Sequence, residues 1–164
     1  IVVSNPLDAL VFVAKQVTGF PRERVIGSAG VLDSARFRTY LSLATGASVE
    51  DIHAIVLGAH TDKDMVPITS TATIGGVPLA KFLSPEKLTE VVENTKKGGA
   101  TLTGLIGTSA WLAPGAGTCL PVKLTAKGAE SVHEFELSAS EKEAFGKSVA
   151  ANTELMTIAR GFLG

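Results

Sequence analysis

The sequence predicts an α+β domain with helices packed against an antiparallel sheet, and three observations carry that expectation. Segments with helical apolar spacing occupy both ends and the middle of the 164 residues. Between them lie short alternating runs joined by tight turns, the pattern of antiparallel strands. The order of these segments lacks the regular alternation of strand and helix that builds a doubly wound sheet. With 45% hydrophobic against 19% charged residues, there is enough apolar material for a single core.

The first element expected is a strand at Ile1-Val2-Val3, broken by Ser4-Asn5-Pro6. It has no initiator Met and no preceding turn, so the chain is expected to continue a longer polypeptide. A helix follows with Leu7, Leu10, Val11, Ala14 and Val17 on its apolar side, running toward Gly19. Phe20-Pro21 to Val25-Ile26-Gly27 reads as a connection. A second helix starts near Val31, carries Leu32, Ala35, Leu41 and Leu43, and stops at the Gly46 cap signal. Ser48 to Leu57 reads as a strand, His60 to Thr71 as a polar stretch punctuated by Pro67, and Ile74-Gly75-Gly76-Val77 as a tight hairpin.

Ser84-Pro85 supplies an N-cap followed by proline at the first helical position. Leu88, Val91, Val92, Leu102 and Leu105 continue that helix as a stripe, which Gly98-Gly99 should bend or loosen. Leu120, Val122 and Leu124 alternate, a turn is expected near Lys127-Gly128, and Val132 to Leu137 completes a two-stranded ribbon. Ser138-Ala139-Ser140-Glu141 is a capping-box pattern that opens a last helix bearing Phe145, Val149, Met156 and Ala159.

Charge and composition narrow the function classes. A formal net charge of −1, with Lys and Arg scattered along the chain, offers no basic field for a nucleic acid. Cys119 is the only cysteine, which excludes an intramolecular disulfide and a cysteine-based zinc cluster and agrees with a reducing, cytoplasmic location. No membrane span is expected, because the apolar stretch Leu7 to Val17 is short and interrupted by Asp8, Lys15 and Gln16. It also lacks the basic leader and cleavage pattern of a secretory signal.

Two short segments offer chemistry: Leu32 to Arg38, with Asp33 and Arg36, and Gly58 to Asp62, with His60. Asp33 and Arg36 share a helix face at a spacing of three, and His60 follows an apolar strand. Imidazole exchanges protons near neutral pH, a carboxylate can fix its tautomer, and a guanidinium can grip an anionic substrate with two parallel bonds. The plainer alternatives are a structural histidine and a surface ion pair between Asp33 and Arg36. A third possibility is a hard-cation site of His60, Asp62 and Asp64, although no further His or Cys cluster supports a metal. His53 and His133 read as structural or solvent-facing. Ser109 and Trp111 could line a pocket or simply pack in the core. Gly115-Ala116-Gly117-Thr118 follows Pro114 rather than a strand and lacks the third glycine of a dinucleotide fingerprint.

Taken in order, Ser4 to Asp8, Gly27 to Arg36, Gly58 to Asp62 and Met65-Val66-Pro67 resemble the malate and lactate dehydrogenase family, in particular its bacterial, lactate-dehydrogenase-like malate dehydrogenases. The resemblance implies a fold like that family's C-terminal domain and, in the complete protein, NAD-dependent interconversion of malate and oxaloacetate. It assigns proton transfer to His60, its partner carboxylate to Asp33 and the substrate-carboxylate clamp to Arg36. Asn5 matches the asparagine beside the substrate oxygen and the nicotinamide, and Ser109 falls where a small hydroxyl residue lines the substrate pocket.

It further implies that residues 1–4 end a nucleotide-binding domain and residues 5–164 form the substrate-binding domain. A small dicarboxylic 2-hydroxy or 2-oxo acid and a homodimer or homotetramer are the expected partners. The family's Gly-rich phosphate turn and substrate-reading mobile loop have no counterpart here. Thr61 stands where the family has Gly, one extra residue precedes Met65, and a segment is expected to be missing near 117–120. The alternative is a non-enzymatic oligomerisation or interaction module derived from a dehydrogenase.

Overall fold

The computed structural model describes residues 1–107, 122–125, 128–132 and 136–163. Helix α1 spans Leu7–Thr18, α2 Gly30–Thr45, α3 Pro85–Ile106 and α4 Ala139–Leu163. Strands β1 (Ile52–Gly58), β2 (Met65–Ile74) and β3 (Val77–Pro78) form one antiparallel sheet in that order, and β4 (Val122–Thr125) pairs antiparallel with β5 (Gly128–Val132) in a second. The expected α+β class, with helices against antiparallel strands, is what the chain forms.

The core lies where α2 and α3 meet the first sheet. Phe37 and Leu41 from α2, Ile52 and Val56 from β1, Met65, Ala72 and Ile74 from β2, Leu79 and Val91 make one buried cluster. Each large apolar side chain removed from water there contributes about 1.5–3 kcal/mol. The buried positions of α2 are Asp33, Phe37 and Leu41, one residue per turn. Leu43 therefore points outward and is 76% exposed, contrary to its expected place in the apolar stripe. The segment expected to be polar from His60 to Thr71 contains most of β2. Its first four residues, Met65 to Ile68, are all buried, so the strand lacks the alternation that would mark it in sequence.

Other boundaries shift for identifiable reasons. The strand expected from Ser48 begins only at Ile52, because Ser48 caps a short 3-10 turn at Val49–Asp51 by accepting the N–H of Glu50. The strand expected at Ile1 to Val3 is reduced to one parallel bridge between Val2 and Gly27. Gly98-Gly99 do not break α3, which runs unbroken from the Ser84 cap to Gly107. The Ile74–Val77 pair closes the hairpin over two glycines at positive φ, as expected. The second ribbon strand is Gly128–Val132 rather than Val132 to Leu137.

The capping box forms as expected. Ser138 Oγ accepts the Glu141 N–H at 3.4 Å, and Glu141 accepts the Ser138 N–H at 2.9 Å. Glu141 also reaches β2, accepting the N–H groups of Thr69 and Ser70 at 2.8 and 3.0 Å and the Ser70 hydroxyl at 2.5 Å. One carboxylate thus starts α4 and fastens it to the sheet. Burial alone would raise the Glu141 pKa, but the hydrogen bonds from Ser70 and Ser138 outweigh it and bring it down to about 2. No helix among the described residues is long and apolar enough to cross a membrane.

Candidate active site

The site is built where β1 ends. Ser34 on α2 accepts the Val56 N–H at 3.0 Å, which fixes α2 along the strand and places Asp33 near its C-terminal end. Gly58, the last residue of β1, pairs with Met65 at the start of β2, so residues 59–64 form the loop carrying His60. Gly58 has φ +89°, and a Cβ there would come within 2.6 Å of the Asp64 carbonyl oxygen and 2.8 Å of Ser148 Oγ. Only glycine fits this turn without displacing its neighbours.

On this frame, His60 Nδ1 lies 2.8 Å from Asp33 Oδ2. Asp33 is 3% exposed and accepts through its other oxygen from Arg36 Nη1 at 3.4 Å. The Asp33–Arg36 pair expected as a plain alternative does exist, but it is buried on the carboxylate side and shared with the imidazole. With Nδ1–H donated to Asp33, the remaining ring nitrogen, Nε2, is left to exchange a proton. The hydrogen bond donated to Asp33 raises the His60 pKa above 6.5, burial opposes it, the charges of Asp33 and Asp8 reinforce it, and Arg36 lowers it.

Arg36 is 17% exposed at its side chain and lies along α3. A Cβ on Gly98 would approach Arg36 Cδ to 3.2 Å, and one on Gly99 would sit 3.5 Å from Nη1 and 3.8 Å from Asp62 Oδ1. The glycine pair, expected to bend or loosen the helix, clears room for the guanidinium. These groups can orient an imidazole, stabilise its protonated form and hold an anion beside it.

Asn5 is exposed at the start of α1, one turn before Asp8, whose Oδ2 accepts the His60 N–H at 2.9 Å. Its amide therefore lies just before the N-cap of a helix tied directly to the His60 loop. Ser109, like Trp111, His133, Gly115 to Thr118 and the expected gap near 117–120, lies outside the described residues. Asp62 and Asp64 do not join His60 in a cation site. Asp64 Oδ2 accepts the Thr61 hydroxyl at 2.6 Å, and among the described residues no three His, Cys, Asp or Glu side chains converge as a metal would need. Two polar contacts escaped the sequence reading: Asp8 to the His60 N–H, across 52 positions, and Ser148 Oγ to the Ala59 N–H at 2.7 Å, across 89.

Comparison with known proteins gives a consistent picture. Residues 30–119 match the model of the lactate/malate dehydrogenase alpha/beta C-terminal domain. A malate dehydrogenase of Parabacteroides distasonis is 40% identical over 183 aligned residues, covering 92% of this chain and 58% of that protein. One of Flavobacterium frigidimaris is 54% identical over 116, covering 71% and 37%. Among solved structures, Cryptosporidium parvum malate dehydrogenase superposes with a TM-score of 0.90 at 34% identity, over 97% of this chain and 62% of that one. A lactate dehydrogenase of the same organism, complexed with lactic acid and nicotinamide adenine dinucleotide, superposes at 0.89 with 28% identity, over 96% and 62%. The chain spans less than two thirds of the length of each of these relatives.

Proposed function

This chain belongs to the lactate/malate dehydrogenase family, and we propose that it supplies the proton-transfer and substrate-anchoring part of an NAD-dependent malate dehydrogenase. The observation that carries the proposal is the 2.8 Å contact between His60 Nδ1 and Asp33, with Arg36 on the same carboxylate. In the oxidative direction the hydroxyl proton of malate passes to His60 Nε2 as the C2–H bond breaks and its electron pair departs as hydride. Asp33 stabilises the imidazolium as its charge develops, so its contribution is largest in the transition state. Arg36 anchors a substrate carboxylate, and the space left by Gly98 and Gly99 keeps its guanidinium free to do so. Bound NAD supplies the acceptor for the hydride.

The residues fit that cofactor to a limited extent. Asn5 presents an exposed amide just before the helix that holds the His60 loop, which suits a hydrogen bond to a nicotinamide or to the substrate oxygen. Ser109 is proposed as a substrate-pocket residue on family likeness. A dicarboxylic 2-hydroxy or 2-oxo acid is the proposed substrate. Homo-oligomerisation, as a dimer or tetramer, is supported by the exposed Leu43 on α2 and Leu105 on α3.

Malate-dependent NAD reduction, measured in a polypeptide of the relatives' full length carrying these residues, tests the proposal. His60→Asn is expected to lower kcat by roughly 100-fold or more while leaving folding intact. Equal rates with and without the imidazole would overturn it.

A further inference from the structure

Resting on the reading of His60 as the proton-transfer residue, we propose that Asp8 and Ser148 are positioning residues, a two-point clamp on the consecutive peptide N–H groups of Ala59 and His60. Asp8 Oδ2 accepts the His60 N–H at 2.9 Å and Ser148 Oγ accepts the Ala59 N–H at 2.7 Å. The two acceptors come from α1 and α4, near opposite ends of the chain, and those helices pack against each other. Ser148 is 1% exposed, and its hydroxyl occupies the space that any side chain at position 58 would need.

The geometry explains why such a clamp matters. The loop at 59–64 leaves β1 through a positive-φ glycine, so β1 by itself does not dictate where the next two residues point. Beyond it the loop is braced from within by Thr61, whose hydroxyl donates to Asp64 and accepts the Asp64 N–H at 3.0 Å. Between glycine and brace, Asp8 and Ser148 hold the backbone N–H groups of His60 and Ala59. They set the height of the imidazole against Asp33, and a misplacement of a few tenths of an ångström there would lengthen the 2.8 Å contact.

The two residues act differently. Asp8 adds a negative charge beside His60, whereas Ser148 adds only geometry. The other charged groups that act on the ring are Asp33 and Arg36 on α2, while Asp62, Lys63 and Asp64 share its loop. The cleft behind the loop adds Lys96 from α3 and Glu143 and Lys147 from α4, the last two paired at 2.7 Å. The direct bond to Asp33 remains the largest influence on His60.

The test is an NMR titration of the His60 imidazole in the chain itself, with amide hydrogen exchange at Ala59 and His60, so it depends on neither malate nor NAD. Asp8→Asn keeps an acceptor for the His60 N–H but removes the charge. It is expected to lower the His60 pKa by about 0.3 unit or more with little change in His60 amide exchange. Ser148→Ala is expected to speed exchange at the Ala59 N–H about 10-fold relative to Ile68 in β2, and to lower the His60 pKa as the Asp33 contact lengthens. A merely structural role would speed exchange across the domain and leave the titration where it was. Asp8→Ala removes the acceptor of the His60 N–H altogether and is expected to speed exchange there about 10-fold relative to Ile68; an unchanged His60 amide exchange in Asp8→Ala overturns the clamp, and it decides the matter even if Ser148→Ala does not fold.

Discussion

At the scale of single residues, the site depends on what Asp33 does twice over. Its 3% exposure would make a lone carboxylate costly, and the imidazole and the guanidinium together offset that cost. Because the folded state raises the His60 pKa, protonated His60 favours folding. That contribution is complete below pH 6.5 and is lost as pH rises through the raised value. Arg36 is the residue where a conservative change should be most informative. Arg36→Lys retains charge but gives up the planar fork, and is expected to raise KM for the dicarboxylate by ~100-fold in a full-length enzyme, with the fold unchanged by circular dichroism. An unaltered KM would place the substrate carboxylate elsewhere.

At the scale of elements, helix ends and strand ends hold the parts of the site in register. Ser34 ties α2 to β1, and Glu141 ties the first turn of α4 to β2. The Glu141 carboxyl has a lowered pKa in the folded state, about 2 against 4.5. Its contribution is therefore present above pH 4.5 and is lost as pH falls from there toward 2. Glu141→Gln is expected to cost ~2 kcal/mol near neutral pH and to flatten the loss of stability on acidification, as read by urea unfolding at pH 7 and pH 3. A variant with the wild-type pH dependence would contradict that role.

Much at this scale was legible in sequence, because caps and turns are local: Ser84-Pro85, the Ser138–Glu141 box and the Gly75-Gly76 hairpin each form as read. What was not legible depends on tertiary contacts. The outward face of Leu43 follows from where β1 packs, and β2 hides as a polar stretch because its first four residues are consecutively buried and the hydroxyl run Thr69-Ser70-Thr71 follows them. Gly98-Gly99 read only as a place where the helix bends or loosens because their partner, Arg36, lies 62 or more positions away.

At the scale of the whole molecule, distant parts of the chain converge on one loop: α1 through Asp8, α2 through Asp33, and α4 through Ser148. The spacing of Asp33 and Arg36 and the resemblance made the chemical residues readable, while the residues that hold them in place carry no local signature. The described surface leaves Leu43, Phe82, Leu105 and Phe162 exposed, a set suited to cover by further protein. Since hydride transfer needs a nicotinamide held against the substrate, a polypeptide of these 164 residues is expected to show no saturable NADH binding by calorimetry below about 1 mM. Tight binding would show that it builds a cofactor site from its own residues. The proposed role of Asp33, holding His60 ready for proton transfer, is tested by an NMR titration of His60 in the wild-type chain and in Asp33→Asn. The expected result is a midpoint above 6.5 that falls to 6.5 or lower when the carboxylate is replaced, and a wild-type midpoint at or below 6.5 that ignores the substitution would contradict it.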